Sequence, residues 1–101
     1  MNRIVSFHRA AIVELNEAMS FYNLESPGLG DIFLDNIEKA IDDIYKYPEA
    51  APLIQGKVRR KIILKFPYSI IYSQRENEIR ILAIAHQKRR PFFWRRWLLL
   101  S

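Results

Sequence analysis

The 101-residue sequence contains no cysteine, so disulfide bridges and thiolate metal sites are excluded. Its uninterrupted apolar runs span only a few residues, far short of the roughly 20 that a membrane-spanning helix requires. The charged amino-terminal segment has no apolar stretch behind it, so no signal peptide is expected. These absences predict a cytoplasmic protein without stable membrane insertion. Half of the residues are apolar, enough for one compact core, and we expect residues 1–101 to form a single domain.

Acidic residues are scarce in the second half of the chain. Residues 1–56 carry four Lys/Arg and nine Asp/Glu, a net charge of −5, whereas residues 57–101 carry twelve Lys/Arg and two Asp/Glu, a net charge of +10. Such an asymmetry favours a polyanionic or acidic partner for the second half. The alternative is a basic face that is merely solvated.

The first half of the chain shows helical periodicity. Arg3 to His8 alternates loosely and predicts a short strand, and the segment from Arg9 to Leu24 repeats its apolar residues at helical spacing. Ser26 followed by Pro27 is a helix start signal, so a second helix is expected from there to about Tyr47. The short break between the two helices predicts an antiparallel αα-hairpin.

After a loop that contains prolines, the period of the apolar residues changes to two. Strands are predicted at residues 57–65, 68–74 and 78–86, with Glu76 and Asn77 as a two-residue hairpin turn in which Asn77 takes the positive φ. The expected cross-strand pairs are Tyr72–Ile81, Ile70–Ala83 and Tyr68–Ala85 on one face, and Ser73–Arg80, Ile71–Leu82 and Ser69–Ile84 on the other. The predicted fold is therefore α+β: an amino-terminal strand, an αα-hairpin, an antiparallel sheet of about four strands and a basic carboxy-terminal tail.

Several short motifs recur in the order and spacing of one known family. They are Glu14-Leu-Asn-Glu-Ala18 with Phe21-Tyr22, Pro27-Gly-Leu-Gly30 leading to Phe33, Val58-Arg59-Arg60, Phe66-Pro67-Tyr68 with Tyr72, and Ile81-Leu-Ala-Ile-Ala-His86 followed by Arg89, Pro91 and Trp94. Over nearly the whole chain the sequence resembles the RelE/ParE toxins of type II toxin–antitoxin (plasmid stabilization) systems.

The resemblance implies a toxin that arrests bacterial growth and is neutralised by a small antitoxin. That antitoxin is expected to be acidic and encoded beside the toxin, and contact with operator DNA is expected only through it. Neither a cofactor nor a metal is implied.

The resemblance also implies one of two targets. RelE-type toxins cleave mRNA in the ribosomal A site without a metal, and ParE-type toxins inhibit DNA gyrase by binding. If the chain is a nuclease, His86 is the candidate for the acid/base group, because the ordinary pKa of histidine lies near neutrality. The candidates for binding phosphate and stabilising its developing charge are Arg59, Lys61 and Arg89. From the residues alone, His86 could equally complete hydrogen bonds at a strand end, and Arg59 and Lys61 could be solvated edge charges.

The sequence departs from the RelE-type nucleases at three expected catalytic positions. Ser69 and Gln87 stand where those enzymes carry arginines, and Phe93 or Trp94 stands where they carry a catalytic tyrosine. Inhibition of DNA gyrase is therefore preferred to ribosome-dependent mRNA cleavage. A non-toxic basic module that binds RNA or a membrane surface is a further alternative.

The remaining candidate residues belong to the basic strand and the tail. Arg60, Lys65, Lys88 and Arg90 are expected to contact the target or a nucleic acid. Phe92, Phe93, Trp94 and Trp97 alternate with arginines, and we expect an antitoxin helix to cover them, because so much bare aromatic surface would promote aggregation.

Overall fold

A computed structural model describes residues 3–88 of the chain. The elements follow the α+β order that the sequence predicts, which confirms the fold class. They are β1 (Ile4–Phe7), α1 (Arg9–Glu25), α2 (Leu29–Lys46), β2 (Leu53–Gln55), β3 (Val58–Ile62), β4 (Tyr68–Arg75) and β5 (Glu78–His86). Neither of the two helices in this part of the chain is long and apolar enough to cross a membrane.

The sheet has five strands in the order β1-β5-β4-β3-β2, one more than expected. Strand β2 was missed because three residues are too short to display a period of two. Strand β1 runs parallel to β5, whereas the other neighbours are antiparallel, so the sheet is mixed and not purely antiparallel. A parallel pair needs a long crossover connection. Here the helical hairpin and three strands separate β1 from β5 along the chain.

The second helix begins later than the sequence predicts. Its first residue is Leu29, and Gly28, with φ 89°, occupies the N-cap position that Ser26 was expected to hold. The Leu29 N–H donates to the Ser26 carbonyl, so Ser26 and Pro27 belong to a turn that joins the helices. Glycine at the cap permits the left-handed conformation that this turn requires. The start signal was therefore assigned about two residues too early.

The helices of the hairpin approach each other closely at Gly30. Its N–H donates to the Asn23 side chain over 2.8 Å, and a β-carbon at this position would lie 2.6 Å from the Asn23 Nδ2 atom. The hairpin packs on one face of the sheet, and the resulting core is continuous. Its largest fully buried members are Phe33, Ile37, Ile44, Ile70, Tyr72, Ile79, Ile81 and Ile84.

A bulge in β5 alters the predicted register. Tyr72–Ile81 and Ser73–Arg80 pair as expected, but the next partner of Ile71 is Ala83, so Leu82 is the extra residue. Beyond the bulge the predicted pairs are wrong by one residue. The observed pairs are Ile70–Ile84, Ser69–Ala85 and Tyr68–His86.

The bulge also redistributes side chains between the two faces. Ile84 joins the helix-covered core, whereas Ala83 and Ala85, which were predicted on the same face as Tyr72, join Val58, Ile71 and Leu82 in a second buried cluster made of strand residues. In the β4–β5 turn, the positive φ (49°) belongs to Glu76 and not to Asn77.

Candidate functional site

Arg59 and Tyr72 hold the loop between α2 and β2. Arg59 lies opposite Tyr72 in the β3–β4 pair, and its Nη1 atom donates to the carbonyl oxygens of Glu49 (3.0 Å) and Ala51 (2.6 Å). The Tyr72 hydroxyl donates to the Pro48 carbonyl over 2.7 Å. Burial raises the pKa of Tyr72, while the Arg59 charge acts in the opposite direction. We call Pro48, Arg59 and Tyr72 the anchored end of the sheet, because Arg59 and Tyr72 both donate hydrogen bonds to carbonyl oxygens of the loop that begins at Pro48.

Lys61 lies on the same face of β3 as Arg59, two residues further along the strand and opposite Ile70. Its Nζ atom is 3.7 Å from the Asp43 Oδ2 atom, and both side chains are partly exposed. An ion pair with this geometry and exposure contributes little to stability. The two residues help to line an open cavity of about 370 Å³, to which Tyr47 and Tyr72 also contribute.

His86 lies at the opposite end of the sheet. It ends β5 opposite Tyr68, and the two rings meet edge to face with their centroids 5.1 Å apart. The Lys88 N–H donates to the His86 Nδ1 atom over 3.1 Å, and the Gln87 N–H donates to the Pro67 carbonyl over 2.8 Å. The His86 Nδ1 atom therefore accepts a hydrogen bond from the backbone that follows β5.

Within residues 3–88, Arg59 and Lys61 are neighbours on one face of β3, but His86 lies apart from Arg59. Arg59 lies opposite Tyr72 and His86 opposite Tyr68, so they are four residues apart along β4, about 13 Å, and also on different sides of that strand. The helical hairpin covers the sheet face between them. Arg89, the fourth candidate of the nuclease reading, lies outside the described residues.

The candidates for target binding divide by position. Lys65, in the turn that leads into β4, and Lys88, just after β5, are both exposed and flank the Pro67–Gln87 hydrogen bond. Together with Pro67 and His86 they form what we call the basic end of the sheet. Arg60 is exposed on β3, away from this end.

The other tail residues are outside the described part of the chain. Arg90, expected to contact the target, and Phe92, Phe93, Trp94 and Trp97, expected to contact an antitoxin, all lie beyond residue 88.

Two further polar residues position elements of the fold, although sequence reasoning gave them no role. His8 is the N-cap of α1, where its Nδ1 atom accepts a hydrogen bond from the Ala10 N–H over 3.0 Å. Burial, followed by the charges of Arg80 and Arg9, lowers the pKa of His8. Because His8 directly precedes the predicted start of the helix at Arg9, its position in the sequence could have indicated an N-cap.

Glu14 has no comparable signal in the sequence. Its Oε1 atom accepts a hydrogen bond from the Ile84 N–H over 3.0 Å, just past the β5 bulge. This contact ties α1 to the distal part of β5. It depends on a bulge that the alternation of residues does not reveal.

The two layers carry opposite charge. The helical layer, residues 9–46, has three Lys/Arg and eight Asp/Glu, a net charge of −5. Residues 53–88, which form β2 to β5, have eight Lys/Arg and two Asp/Glu, a net charge of +6. The asymmetry along the sequence therefore becomes an asymmetry across the molecule.

The sequence model of the family described as "ParE toxin of type II toxin-antitoxin system, parDE" matches residues 5–91. The chain belongs to the ParE toxin family. Membership in this family, whose systems pair a toxin with an antitoxin, implies an antitoxin partner for this chain. No curated protein matches the sequence.

A solved structure supports the same fold. The structure described as the chromosomal ParDE TA system from P. aeruginosa is similar to this ParE-family chain with a TM-score of 0.74 and 18% sequence identity. The match covers 83% of this chain and 95% of the other. At this identity, the similarity establishes a shared arrangement of helices and strands.

Proposed function

We propose that this ParE-family toxin arrests bacterial growth by binding DNA gyrase and inhibiting it. The observation that carries the proposal is the separation of His86 from Arg59 among the described residues. General acid–base catalysis requires its groups within hydrogen-bonding reach of one substrate. Arg59 on β3 and His86 on β5 pair with β4 residues that are four positions apart, on a face that the helices cover.

The contacts that Arg59 and Lys61 of β3 already make within the protein support the same proposal. Arg59 donates to two loop carbonyls, and Lys61 lies beside Asp43. A phosphate would therefore have to displace contacts that Arg59 makes within the protein. Inhibition by binding has no such requirement, because it needs only an exposed complementary surface.

The basic end is the surface that we assign to gyrase. Lys65 and Lys88 are exposed, and Leu64, in the same turn as Lys65, is 95% exposed. Exposed cations beside an exposed apolar side chain are suited to an acidic protein surface, since charge steers the encounter and apolar burial stabilises the complex.

A purified-component assay tests the proposal. The full chain is titrated into DNA gyrase acting on relaxed plasmid, and supercoiling is followed on agarose gels. We expect concentration-dependent loss of supercoiling. Unchanged supercoiling at a large molar excess of the chain would overturn direct inhibition of this activity.

A parallel assay tests the alternative of ribosome-dependent mRNA cleavage. The observation that favours the alternative is the partly exposed His86 ring at the basic end, which also carries the exposed Lys65 and Lys88. If the chain cleaves mRNA on the ribosome, primer extension on mRNA from cells that express it would show new ends within translated codons. We expect none, because the phosphate-binding candidates Arg59 and Lys61 lie elsewhere.

A further inference from the structure

The sheet face that points away from the helices is buried at its centre. Its side chains form the second buried cluster, in which Leu82 and Ala83 are 0% exposed and Ile71 is 3% exposed. A leucine on an open face of an antiparallel sheet stands out from the strands and stays accessible to solvent. The burial of Leu82 therefore requires a cover on this face.

Residues 3–88 do not supply this cover. Both helices pack on the opposite face, and the second cluster, with Ile54 of β2 packed against it, consists of strand residues. Met1 and Asn2 are too few to cover it, and Ile4, which follows them on β1, is 66% exposed. The burial is that of a single chain, so neither an antitoxin nor a second copy accounts for it.

The buried positions follow a diagonal path across the sheet. It runs from Ala85 on β5 through Ile71 on β4 to Val58 on β3, and all three are less than 9% exposed. The pairings put the two ends of this path two strands apart and four residues apart along β4, about 16 Å. Ile62, on the same face of β3 but off the path, is 50% exposed. The cover is therefore a narrow segment and not a full layer.

The carboxy-terminal segment, residues 89–101, follows directly from one end of this path. Lys88 comes three residues after Ala85, and thirteen residues of the sequence remain beyond it. A segment of this length spans about 40 Å when extended and about 20 Å as a helix. Either length is sufficient for the path.

The composition of the segment suits an apolar face. Two phenylalanines, two tryptophans and three leucines make up seven of its thirteen residues, and it contains four arginines and no acidic residue. Packing the aromatic and leucine side chains on the cluster removes apolar surface from water on both sides of the contact. The arginines can lay their aliphatic parts along the sheet while their charged ends stay in solvent.

We propose that residues 89–101 pack on the chain's own sheet, with the aromatic side chains of residues 92–97 along the path from Ala85 to Val58. The aromatic residues then have their partner within the chain before any antitoxin binds. The contact closes the centre of this face to a nucleic acid or a protein and leaves Lys65 and Lys88 of the basic end beside the start of the segment. The proposal does not depend on inhibition of gyrase.

Tryptophan fluorescence tests the proposal, because Trp94 and Trp97 are the only tryptophans in the sequence. The reference is a synthetic peptide of residues 89–101, whose indole rings are in water. We expect the full chain to emit at shorter wavelength than the peptide and to be quenched less by acrylamide. Urea should shift this emission in the same transition that far-UV circular dichroism follows, since the packed segment unfolds with the core. Emission equal to that of the peptide would overturn the proposal.

Dilution separates an internal contact from a contact between copies. An internal contact does not depend on the concentration of the chain, whereas association does. The short-wavelength emission should therefore persist at concentrations where sedimentation shows a monomer. A return to the emission of the peptide on dilution would assign the cover to a second copy and contradict the proposal.

Two variants locate the contact on the sheet. Ala85→Glu puts a carboxylate on the path, where burial under aromatic rings is unfavourable, so the emission should move towards that of the peptide. Ala50→Glu makes the same change at an exposed position in the loop between α2 and β2 and should leave the emission as in the wild type. Circular dichroism checks that both variants fold. Unchanged emission in a folded Ala85→Glu would place the segment elsewhere.

Nuclear Overhauser effects keep the test decisive if Ala85→Glu does not fold. In the wild-type chain with labelled methyl groups, we expect them between the aromatic protons of residues 92–97 and the methyl groups of Leu82 or Ile71. The methyl groups of Ile44, in the core under the helices, are the control and should show none from these protons. Their absence at both Leu82 and Ile71 would overturn the contact. No step involves gyrase, so failure of this proposal is distinct from failure of the proposed function.

Discussion

The two ends of the central sheet both carry basic residues, but they use them differently. At the anchored end, the Arg59 guanidinium and the Tyr72 hydroxyl bind carbonyl oxygens of the loop between α2 and β2. At the basic end, Lys65 and Lys88 are exposed around a short turn. A basic residue in a strand is therefore not automatically a binding residue. What distinguishes the two ends is whether the protein supplies its own acceptors.

The largest effect is expected from Arg59→Ala at the anchored end. It removes a charged donor from two carbonyl oxygens, and the free energy of unfolding should fall by about 2 kcal/mol. Urea denaturation measures the change. Arg60→Ala is the matched control: Arg60 is its exposed neighbour, and the loss there should stay within about 0.5 kcal/mol. Equal losses in the two variants would remove the distinction between anchored and available cations.

Charge reversal at the basic end should affect function and spare stability. In Lys65→Glu/Lys88→Glu, the concentration for half-inhibition of gyrase should rise about tenfold, because exposed charges contribute mainly to association. The double variant Lys39→Glu/Lys57→Glu has the same net charge and alters exposed lysines elsewhere. It should inhibit nearly as well as the wild type. If both variants lose inhibition equally, overall charge and not the basic end governs the interaction.

Tyr72→Phe isolates one hydrogen bond of the anchored end. The ring stays in the core while the Pro48 carbonyl loses its donor, so the free energy of unfolding should fall by about 1 kcal/mol. Thermal unfolding followed by circular dichroism is the measurement, with gyrase inhibition as the second readout. We expect inhibition to persist at temperatures where the variant remains folded. A loss of inhibition without a loss of stability would place this end in the functional surface.

The smallest effect is expected at His8, an internally engaged group at the start of α1. Its pKa is lowered from 6.5, so the neutral ring is the form favoured by folding. The contribution of the cap should be present above about pH 6.5 and be lost as the pH falls through the lowered pKa. Protonation removes the acceptor for the Ala10 N–H and adds positive charge at a helix N-terminus.

Two His8 variants separate the cap from the titration. His8→Ala should cost about 1 kcal/mol or less at pH 7.5, with a smaller cost at pH 5. His8→Asn keeps a side-chain acceptor, so its unfolding free energy should change less between these two pH values than that of the wild type. Denaturation of all three proteins at both pH values measures this. An equal dependence on pH in the wild type and His8→Asn would contradict the assignment.

The fold class could be predicted from the periodic spacing of apolar residues along the sequence. Apolar residues at helical spacing in residues 9–24 and alternation after residue 57 predicted the elements. The tight turn at Glu76 and Asn77 correctly paired Tyr72 with Ile81. These features could be predicted from the sequence because each depends on residues that are close together along the chain. Beyond the bulge at Leu82 the same reasoning failed, since one extra residue exchanges the faces of every residue that follows.

The candidate site was less accessible than the fold. The sequence correctly placed Arg59 and Lys61 on one face of a strand, but it could not show that this face lies under the helical hairpin. Nor could it show that His86 lies about four residues away from Arg59 along the neighbouring strand. Both facts depend on strand order and register, which arise from contacts between distant segments.

By itself, the sequence determined the α+β order, the ParE-family motifs and the division of charge between the two halves. Each follows from the types and spacing of nearby residues. Only the tertiary structure decided which basic residues are available to a partner. Arg59 faces the carbonyls of Glu49 and Ala51, whereas Lys65 and Lys88 face solvent. The physical reason is that a cation's partners are set by which backbone oxygens the fold brings within about 3 Å.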